Sequence, residues 1–223
     1  MYSIYYMDFL DTANNMTNRY KTNKWTSYIE KNGSYNDILR NVENVKTIFE
    51  IGTQNGGSAQ VLSKLFPHAK IYTMDINPLN TDLGENIISL TSDATKPDNL
   101  TLLPMFDIIW DDGSHSCNDQ IKSFSYLFRE KLNNEGIYIV EDLEHCYQSW
   151  WKNNNSDMDF HDYIRRLIDS INAKQSHVTS TNNGKLKIKP DYYSDNLFNI
   201  SVYKQIVCFK KRQNLNQNES LFI

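Results

Sequence analysis

The chain has 223 residues, with 23 Lys and Arg against 27 Asp and Glu, so its formal net charge is −4. This length suits one domain with small additions, and the slightly acidic balance argues against the basic stripe of a nucleic-acid groove. No apolar run reaches the roughly 18–20 residues that cross a bilayer, and the apolar start lacks the features of a signal peptide. Three scattered cysteines without a CxxC motif fit a reducing compartment. We therefore expect a cytoplasmic protein that binds neither nucleic acid nor membranes.

Short apolar runs alternate with helical repeats from residue 46 onward, which predicts βαβ units and a mainly parallel sheet. Residues 179–196 are polar and predict a long loop of the kind that often covers a site. We expect an N-terminal helical segment that helps to cover the site (1–45), a ligand-binding domain (46–212) and a flexible tail (213–223). The predicted strands are 46–51, 69–76, 86–90, 106–110, 136–140, 200–203 and 205–210, the predicted helices are 35–42, 58–66, 118–132 and 160–171, and a short loop is predicted at 153–157.

The first predicted strand runs into a glycine-rich turn, EIGTQNGGS at residues 50–58. Glycines let the backbone bend tightly and approach a ligand, and the helix that follows presents unpaired N–H groups. The second strand ends at Asp75, where a carboxylate can accept hydrogen bonds from ribose hydroxyls. The third is followed by Asp93, which can accept from an adenine amino group. The turn is not GxGxxG, so NAD fits less well than S-adenosylmethionine (SAM), which has the ribose but no pyrophosphate.

The predicted SAM site therefore combines residues from several strand ends. A glycine-rich turn alone is a weak signal, and Asp75 alone could cap a strand, but the three features in order favour SAM. The predicted cofactor-binding residues are Glu50, Gly52, Thr53, Asn55, Gly57, Ser58, Asp75, Ile76, Asp93 and Asp111.

Four acidic residues follow the fourth and fifth strands, in DDGSH at 111–115 and EDLEH at 141–145. Neighbouring parallel strands end at one edge of the sheet, where ligands bind. Uncompensated carboxylates would repel one another there, and a divalent cation would remove the conflict. Oxygen ligands favour Mg²⁺, Mn²⁺ or Ca²⁺ over zinc, so the predicted metal ligands are Asp112, Glu141 and Asp142. The alternative is that Asp112 or Ser114 caps the next helix.

His115 follows Asp112 by three residues and is the predicted general base. Histidine titrates near neutral pH, and a hydroxyl bound to the metal would be acidified, so His115 could take its proton as the oxygen attacks the methyl carbon of SAM. His145 is the rival base. Zinc held by Cys117, Cys146 and the two histidines is disfavoured because their spacing does not match a zinc finger.

Five segments resemble the metal- and SAM-dependent O-methyltransferases of the macrolide-sugar type (mycinamicin and demethylmacrocin methyltransferases) and the cephalosporin hydroxylase-like methyltransferases. They read FEIGTQNGGS, IYTMDINP, DIIWDDGSH, GIYIVEDLEHCY and ISVYKQIVCFKK. The resemblance implies an α/β, Rossmann-like fold with a seven-stranded, mostly parallel sheet, an antiparallel last strand and helices on both faces. It implies Mg²⁺ (or Mn²⁺) at the three carboxylates and His115 as base. It also implies that Lys24 contacts the cofactor, although Asn23 stands where the family has Asp.

The resemblance further implies a sugar-type acceptor, in a glycan, a nucleotide sugar or a glycosylated metabolite. Trp150, Trp151 and Tyr192 could stack on such a ring, although exposed aromatics are often simply packing partners. We therefore predict a SAM- and metal-dependent sugar O-methyltransferase that forms a homo-oligomer. A catechol or phenol O-methyltransferase and a non-catalytic SAM- or metal-binding subunit are the alternatives.

Overall fold

The structure is a computed structural model that describes residues 34–39, 42–148, 158–173 and 190–213. Several sequence-based predictions concern residues outside these ranges: most of the N-terminal segment, the loop at 153–157 and the tail beyond residue 213. The predicted division of the chain into three parts therefore stays a prediction.

Strands and helices alternate along the described chain, as the hydrophobic pattern predicts. The strands are β1 (Thr47–Ile51), β2 (Lys70–Asp75), β3 (Ile87–Thr91), β4 (Phe106–Asp111), β5 (Leu132–Val140), β6 (Leu197–Val202) and β7 (Val207–Lys211). The helices are α1 (Ser34–Leu39), α2 (Gly57–Leu65), α3 (Cys117–Glu130), α4 (Phe160–Ala173) and α5 (Tyr192–Asn196), with 3₁₀ turns at Pro97–Leu100 and Leu143–Tyr147.

The strands form one seven-stranded sheet in the order β3-β2-β1-β4-β5-β7-β6. Strands β1 to β5 are parallel where they pair. Strand β7 is antiparallel to both β5 and β6. The predicted fold class, a mostly parallel Rossmann-like sheet with an antiparallel last strand, is confirmed. The carboxyl ends of β1, β2, β4 and β5 consequently lie along one edge, which is the ligand-binding edge of such sheets.

Alternate side chains of the strands fill two apolar layers, one on each face of the sheet. One layer joins Phe49, Ile109 and Phe209 of the strands to Phe124 of α3 and to α4. The other joins the opposite residues of the same strands to α1 and α2, with Trp110 at its centre. The ring of Phe124 lies 4.5 Å from that of Phe209 and 5.1 Å from that of Tyr138, centroid to centroid. Both layers reach the ligand-binding edge, so they hold its loops in place.

Two predicted boundaries differ from the structure. Helix α3 ends at Glu130, not at residue 132, because the buried Leu132 pairs with Phe106 and already belongs to β5. Residues 192–196, predicted to be part of a long loop, form α5. Asp191 accepts hydrogen bonds from the backbone N–H groups of Tyr193 (2.9 Å) and Ser194 (3.1 Å), and the Ser194 hydroxyl accepts from the backbone N–H of Asp191 (3.0 Å). This reciprocal cap starts the helix.

Two lysines stabilise the opposite edge of the sheet. Lys211 Nζ donates to the carbonyl oxygens of Phe128 (2.9 Å), Arg129 (3.1 Å) and Leu132 (2.8 Å) at the end of α3. Burial lowers the pKa of Lys211, and the three carbonyl groups at the negative end of the helix offset that burial. No helix among the described residues has the length and apolar composition needed to cross a membrane.

Candidate active site

The turn after β1 requires glycine at its first position. Gly52 has φ of +94°, and a Cβ there would lie 2.1 Å from the carbonyl oxygen of Asp112. The Gly52 N–H donates to the carbonyl of Met74 (2.8 Å), and the Asp112 N–H donates to the carbonyl of Ile51 (3.0 Å). The ends of β1, β2 and β4 are therefore locked together by backbone contacts that leave no space for a side chain.

Asp75, at the end of β2, holds this turn by its carboxylate. Oδ2 accepts from the backbone N–H groups of Thr53 (3.0 Å) and Gln54 (3.1 Å), and Oδ1 accepts from the N–H of Asn77 (2.9 Å). A carboxylate has about four acceptor positions, so Asp75 can still accept from a ligand hydroxyl. It is thus both a structural support of the turn and part of the wall of the site.

Glu50 lies beneath the turn and is fully buried. Its carboxylate accepts hydrogen bonds from the hydroxyls of Ser58 and Thr73, the latter at 3.0 Å. Thr73 Oγ1 is also 2.8 Å from Thr53 Oγ1. These residues were predicted to bind the cofactor, but the structure places them where they support the turn from below.

A cavity of about 430 Å³ opens above this turn. Its volume falls within the roughly 300–1,000 Å³ of small-molecule sites. Five predicted cofactor-binding residues line it, and so does the predicted metal ligand Asp112. The other predicted cofactor-binding residues of the described chain, Glu50, Thr53, Asn55, Gly57 and Ser58, are not in the lining. The predicted residues that line the cavity are Gly52, Asp75, Ile76, Asp93, Asp111 and Asp112.

Two further carboxylates of the lining have opposite environments. Hydrogen bonds from Thr95, through its hydroxyl at 2.6 Å and its N–H at 2.9 Å, lower the pKa of Asp93. Burial raises the pKa of Asp111, although its carboxylate accepts from the hydroxyls of Ser123 (2.7 Å) and Tyr138 (3.2 Å). Asp93 therefore presents a stable negative acceptor, whereas Asp111 is fixed in the floor of the cavity.

Asp112, His115 and Asp142 come together beside the cavity. One ligand atom from each lies within 4.8 Å of the others, and His115 Nε2 is 3.4 Å from Asp142 Oδ2. His115 and Asp142 both have φ of +56°, a region that non-glycine residues adopt rarely and that recurs at functional sites. The structure thus unites the two loops that the sequence places after β4 and β5.

The rival base, His145, lies directly behind this cluster. Its ring stacks on that of His115, with centroids 4.9 Å apart, and its Nδ1 is 3.0 Å from the carbonyl oxygen of Asp142. The same two loops also meet through a buried contact of 2.7 Å between the sulfurs of Cys117 and Cys146. His145 is therefore placed to orient His115 and the Asp142 loop.

Glu141 points elsewhere. It is almost fully buried, and its Oε1 accepts a hydrogen bond from the indole N–H of Trp110. Because side chains alternate along β5, Glu141 lies on the face of the sheet that Trp110 occupies. The structure brings two of the three predicted metal ligands, Asp112 and Asp142, together with His115, and leaves Glu141 outside that group.

Four other predicted residues are not in the described site. Lys24, Trp150 and Trp151 lie outside the described residues. Tyr192 is on α5, where the guanidinium of Arg129 lies 4.7 Å from the centre of its ring. Arg129 is at the end of α3, away from the ligand-binding edge, so the structure does not bring Tyr192 to the cavity.

The sequence analysis missed a polar patch on α3 that lines the cavity. Gln120 and Ser123 both face it, and Gln120 Nε2 donates to the carbonyl of Glu141 (3.3 Å). These residues share a helix face with Phe124 and Leu127. Polar residues that continue an apolar stripe into the first turns of a helix were the available signal.

Comparison with known proteins decides the family. The model of a family described as O-methyltransferase matches residues 2–118, more than half of the chain. The chain belongs to this O-methyltransferase family. The predicted resemblance, and with it the prediction of a methyltransferase, is confirmed at the level of the family.

The curated relatives modify sugars of antibiotics, according to their names. Demethylmacrocin O-methyltransferase of Streptomyces fradiae is 26% identical over 90% of this chain and 53% of its own length. A rhamnosyl tetracenomycin-C 2′-O-methyltransferase of Streptomyces olivaceus is 28% identical over 56% of this chain and 36% of its own length. The chain spans about half the length, or less, of these relatives.

A solved structure shares the fold. The MycE methyltransferase of the mycinamycin biosynthetic pathway, in complex with Mg and SAH, superposes with a TM-score of 0.72. It is 23% identical, and the match covers 92% of this chain and 54% of that chain. The likeness establishes the same architecture along nearly the whole of this chain.

Proposed function

We propose that the chain transfers the methyl group of SAM to a sugar hydroxyl of a glycoside, with a divalent cation at the ligand-binding edge. The observation that carries this proposal is the meeting of Asp112, His115 and Asp142 beside a cavity lined by further carboxylates. Membership of the O-methyltransferase family and the sugar-modifying relatives support it.

SAM, the methyl-donating substrate, fits the first cavity. Asp75 can accept from its ribose hydroxyls and Asp93 from its adenine amino group, and the exposed side chain of Ile76 offers an apolar surface for the base. The product, S-adenosylhomocysteine (SAH), is the ligand named with MycE. Binding there would leave the sulfur-bearing end of SAM to reach the Asp112 side of the cavity.

A divalent cation fits the donor set of the cluster. Two carboxylates of like charge are held close together by separate loops, and hard cations such as Mg²⁺ or Mn²⁺ prefer oxygen ligands. Asp112 and Asp142 would hold it, and Glu141, as predicted from the sequence, is the third carboxylate within one residue of the site. When bound, such a cation would lower the pKa of an acceptor hydroxyl and orient it.

His115 is the group placed to accept the proton of that hydroxyl. Its Nε2 faces the cluster, and Asp142 Oδ2, 3.4 Å away, stabilises the positive imidazolium that protonation creates. The hydroxyl oxygen forms a bond to the methyl carbon, the bond from that carbon to sulfur breaks, and SAH leaves. His145, stacked on His115, limits the rotation of the ring.

Methyl transfer from isotopically labelled SAM tests the proposal. Acceptors are macrolide and tetracenomycin glycosides that carry free sugar hydroxyls, assayed with Mg²⁺ and with a chelator, and catechols are the competing acceptor class. Label in the glycosides that depends on Mg²⁺ is the expected result. Label in catechols alone would favour the catechol alternative. Tight SAM binding without transfer to either class would favour a non-catalytic subunit. The homo-oligomeric state and the cytoplasmic location stay predictions.

A further inference from the structure

A second cavity, of about 330 Å³, opens beyond β5 at the same edge of the sheet. It lies between the 3₁₀ turn Leu143–Tyr147, helix α4 and the hairpin that joins β6 to β7. No residue of the cluster or of the first cavity is among those that line it. The residues that line it include Leu143, Glu144, Tyr147, His161, Arg165 and Gln205.

The strand order places this cavity next to the reacting groups. Asp142 precedes the 3₁₀ turn that forms one wall, and the Leu143 N–H donates to the carbonyl of Gln205 (3.1 Å) in the β6–β7 hairpin. Strands lie about 4.8 Å apart, so β7 and β6 extend this edge by one or two strand widths past β5. An acceptor with a hydroxyl at His115 has the SAM cavity on one side and this cavity on the other.

An exposed aromatic ring forms one wall. The side chain of Tyr147 is 76% exposed, and one face of its ring stacks on His161, with centroids 4.7 Å apart and planes at 26°. The histidine fixes the orientation of the tyrosine and leaves its other face accessible. A ring presented in this way is suited to the flat C–H face of a pyranose.

The charges of the lining disfavour an anionic ligand. Arg165 is engaged in an ion pair with Asp162, so its charge is compensated. Glu144 carries a carboxylate, and its Oε2 is enclosed without a hydrogen-bond partner among the residues that the structure describes. Since an enclosed acceptor without a partner is unfavourable, hydroxyl donors of a ligand would stabilise Glu144, whereas a phosphate would be repelled by it.

We infer that this second cavity is the acceptor subsite and that it binds a neutral pyranose ring stacked on Tyr147, with hydroxyls toward Glu144. The inference rests on the proposed function and deepens it, because it selects a neutral glycoside over a nucleoside diphosphate sugar as acceptor. Tyr147 and Glu144 then determine acceptor specificity and take no part in SAM binding.

Saturation-transfer NMR on the SAH-bound protein tests the inference without requiring turnover. The probes are methyl α-L-rhamnopyranoside and UDP-glucose, and the aromatic protons of the protein are saturated. We expect the rhamnoside to receive saturation and to bind at least as tightly as UDP-glucose. Tyr147→Ala should weaken the rhamnoside about 2–10-fold, the range expected for loss of a stacked ring, and Tyr147→Phe should restore it. Phe198→Ala, which removes another exposed aromatic at the opposite end of β6, is the matched control.

Three results would overturn the inference: no binding of either probe, rhamnoside binding that Tyr147→Ala leaves unchanged, or UDP-glucose binding more than about tenfold tighter. These failures are distinct from failure of the proposed function. Mg²⁺-dependent methylation of glycosides with unchanged acceptor KM in Tyr147→Ala would reject the subsite and keep the enzyme. Tyr147-dependent sugar binding without any methyl transfer would do the reverse.

Discussion

The two halves of the ligand-binding edge are built by different means. At the ends of β1, β2 and β4 the backbone defines the site: Gly52 lies against the carbonyl of Asp112, and Asp75 holds two consecutive N–H groups of the turn. Beyond β5, side chains from three distant segments form the second cavity, and the exposed Tyr147 dominates it. A backbone-defined site suits a ligand that never changes, such as SAM. A site of side chains can be altered by substitution to suit different acceptors.

Replacing the base between the two halves should have the largest effect. His115→Asn removes the proton acceptor, and we expect methyl transfer to fall about 10²–10⁴-fold, because neither half supplies a substitute at that position. SAH affinity, measured by calorimetry, should stay unchanged. His145→Asn tests the rival assignment. A larger loss in His145→Asn than in His115→Asn would show that the roles of the two histidines are exchanged.

The carboxylates of the cluster should separate in their effect on the metal. Asp142→Asn should weaken Mn²⁺ binding more than Glu141→Gln, because Asp142 lies in the cluster while Glu141 accepts from Trp110. For Glu141→Gln we expect a loss of about 10–100-fold, the range for groups that position a ligand. Mn²⁺ paramagnetic relaxation of water protons measures both. An equal or larger loss in Glu141→Gln would restore the predicted ligand set of Asp112, Glu141 and Asp142.

The rigidity of the SAM half can be tested with two glycines. Both Gly52 and Gly84 have positive φ, but a Cβ on Gly84 would meet nothing within 4 Å. Gly84→Ala should therefore lose only the backbone preference, about 1 kcal/mol. Gly52→Ala should lose clearly more in chemical denaturation, and also SAH affinity, because the turn must move away from Asp112. Equal stability losses would mean that the turn adapts and is not rigid.

The smallest expected effect concerns alkaline pH and the core that carries both halves. Burial raises the pKa of Tyr138 and Tyr193, and burial together with the Asp37 carboxylate raises the pKa of Tyr203 to about 12. The folded chain therefore keeps protons that the unfolded chain loses above about pH 10. Stability should be constant up to about pH 10 and fall as the pH rises toward 12. Urea denaturation across this range measures it, and a constant midpoint would contradict these pKa directions.

The sequence predicted best where function depends on contiguous residues. The turn at 50–58, Asp75 and the DDGSH segment each follow an apolar strand, so parallel pairing alone brings them to one edge. The direction of the Glu141 side chain was not predictable in this way, because it depends on the Trp110 indole on the neighbouring strand. Tyr147, His161 and Gln205 come from a 3₁₀ turn, a helix and a hairpin, and no local pattern links them. Helix α5 did have a signal, the Asp191–Ser194 capping pair, that the polar composition of the segment obscured.

The central claim is that the carboxyl edge of β1, β2 and β4 binds SAM beside the Asp112–His115–Asp142 cluster. Calorimetric titration of SAM and SAH into the folded protein, with and without Mg²⁺, tests it most directly, with Asp75→Asn as the variant. The account predicts binding in about the micromolar range, corresponding to about −8 kcal/mol, and a clear loss of affinity in Asp75→Asn. No binding of SAM or SAH to the folded wild-type protein would contradict it.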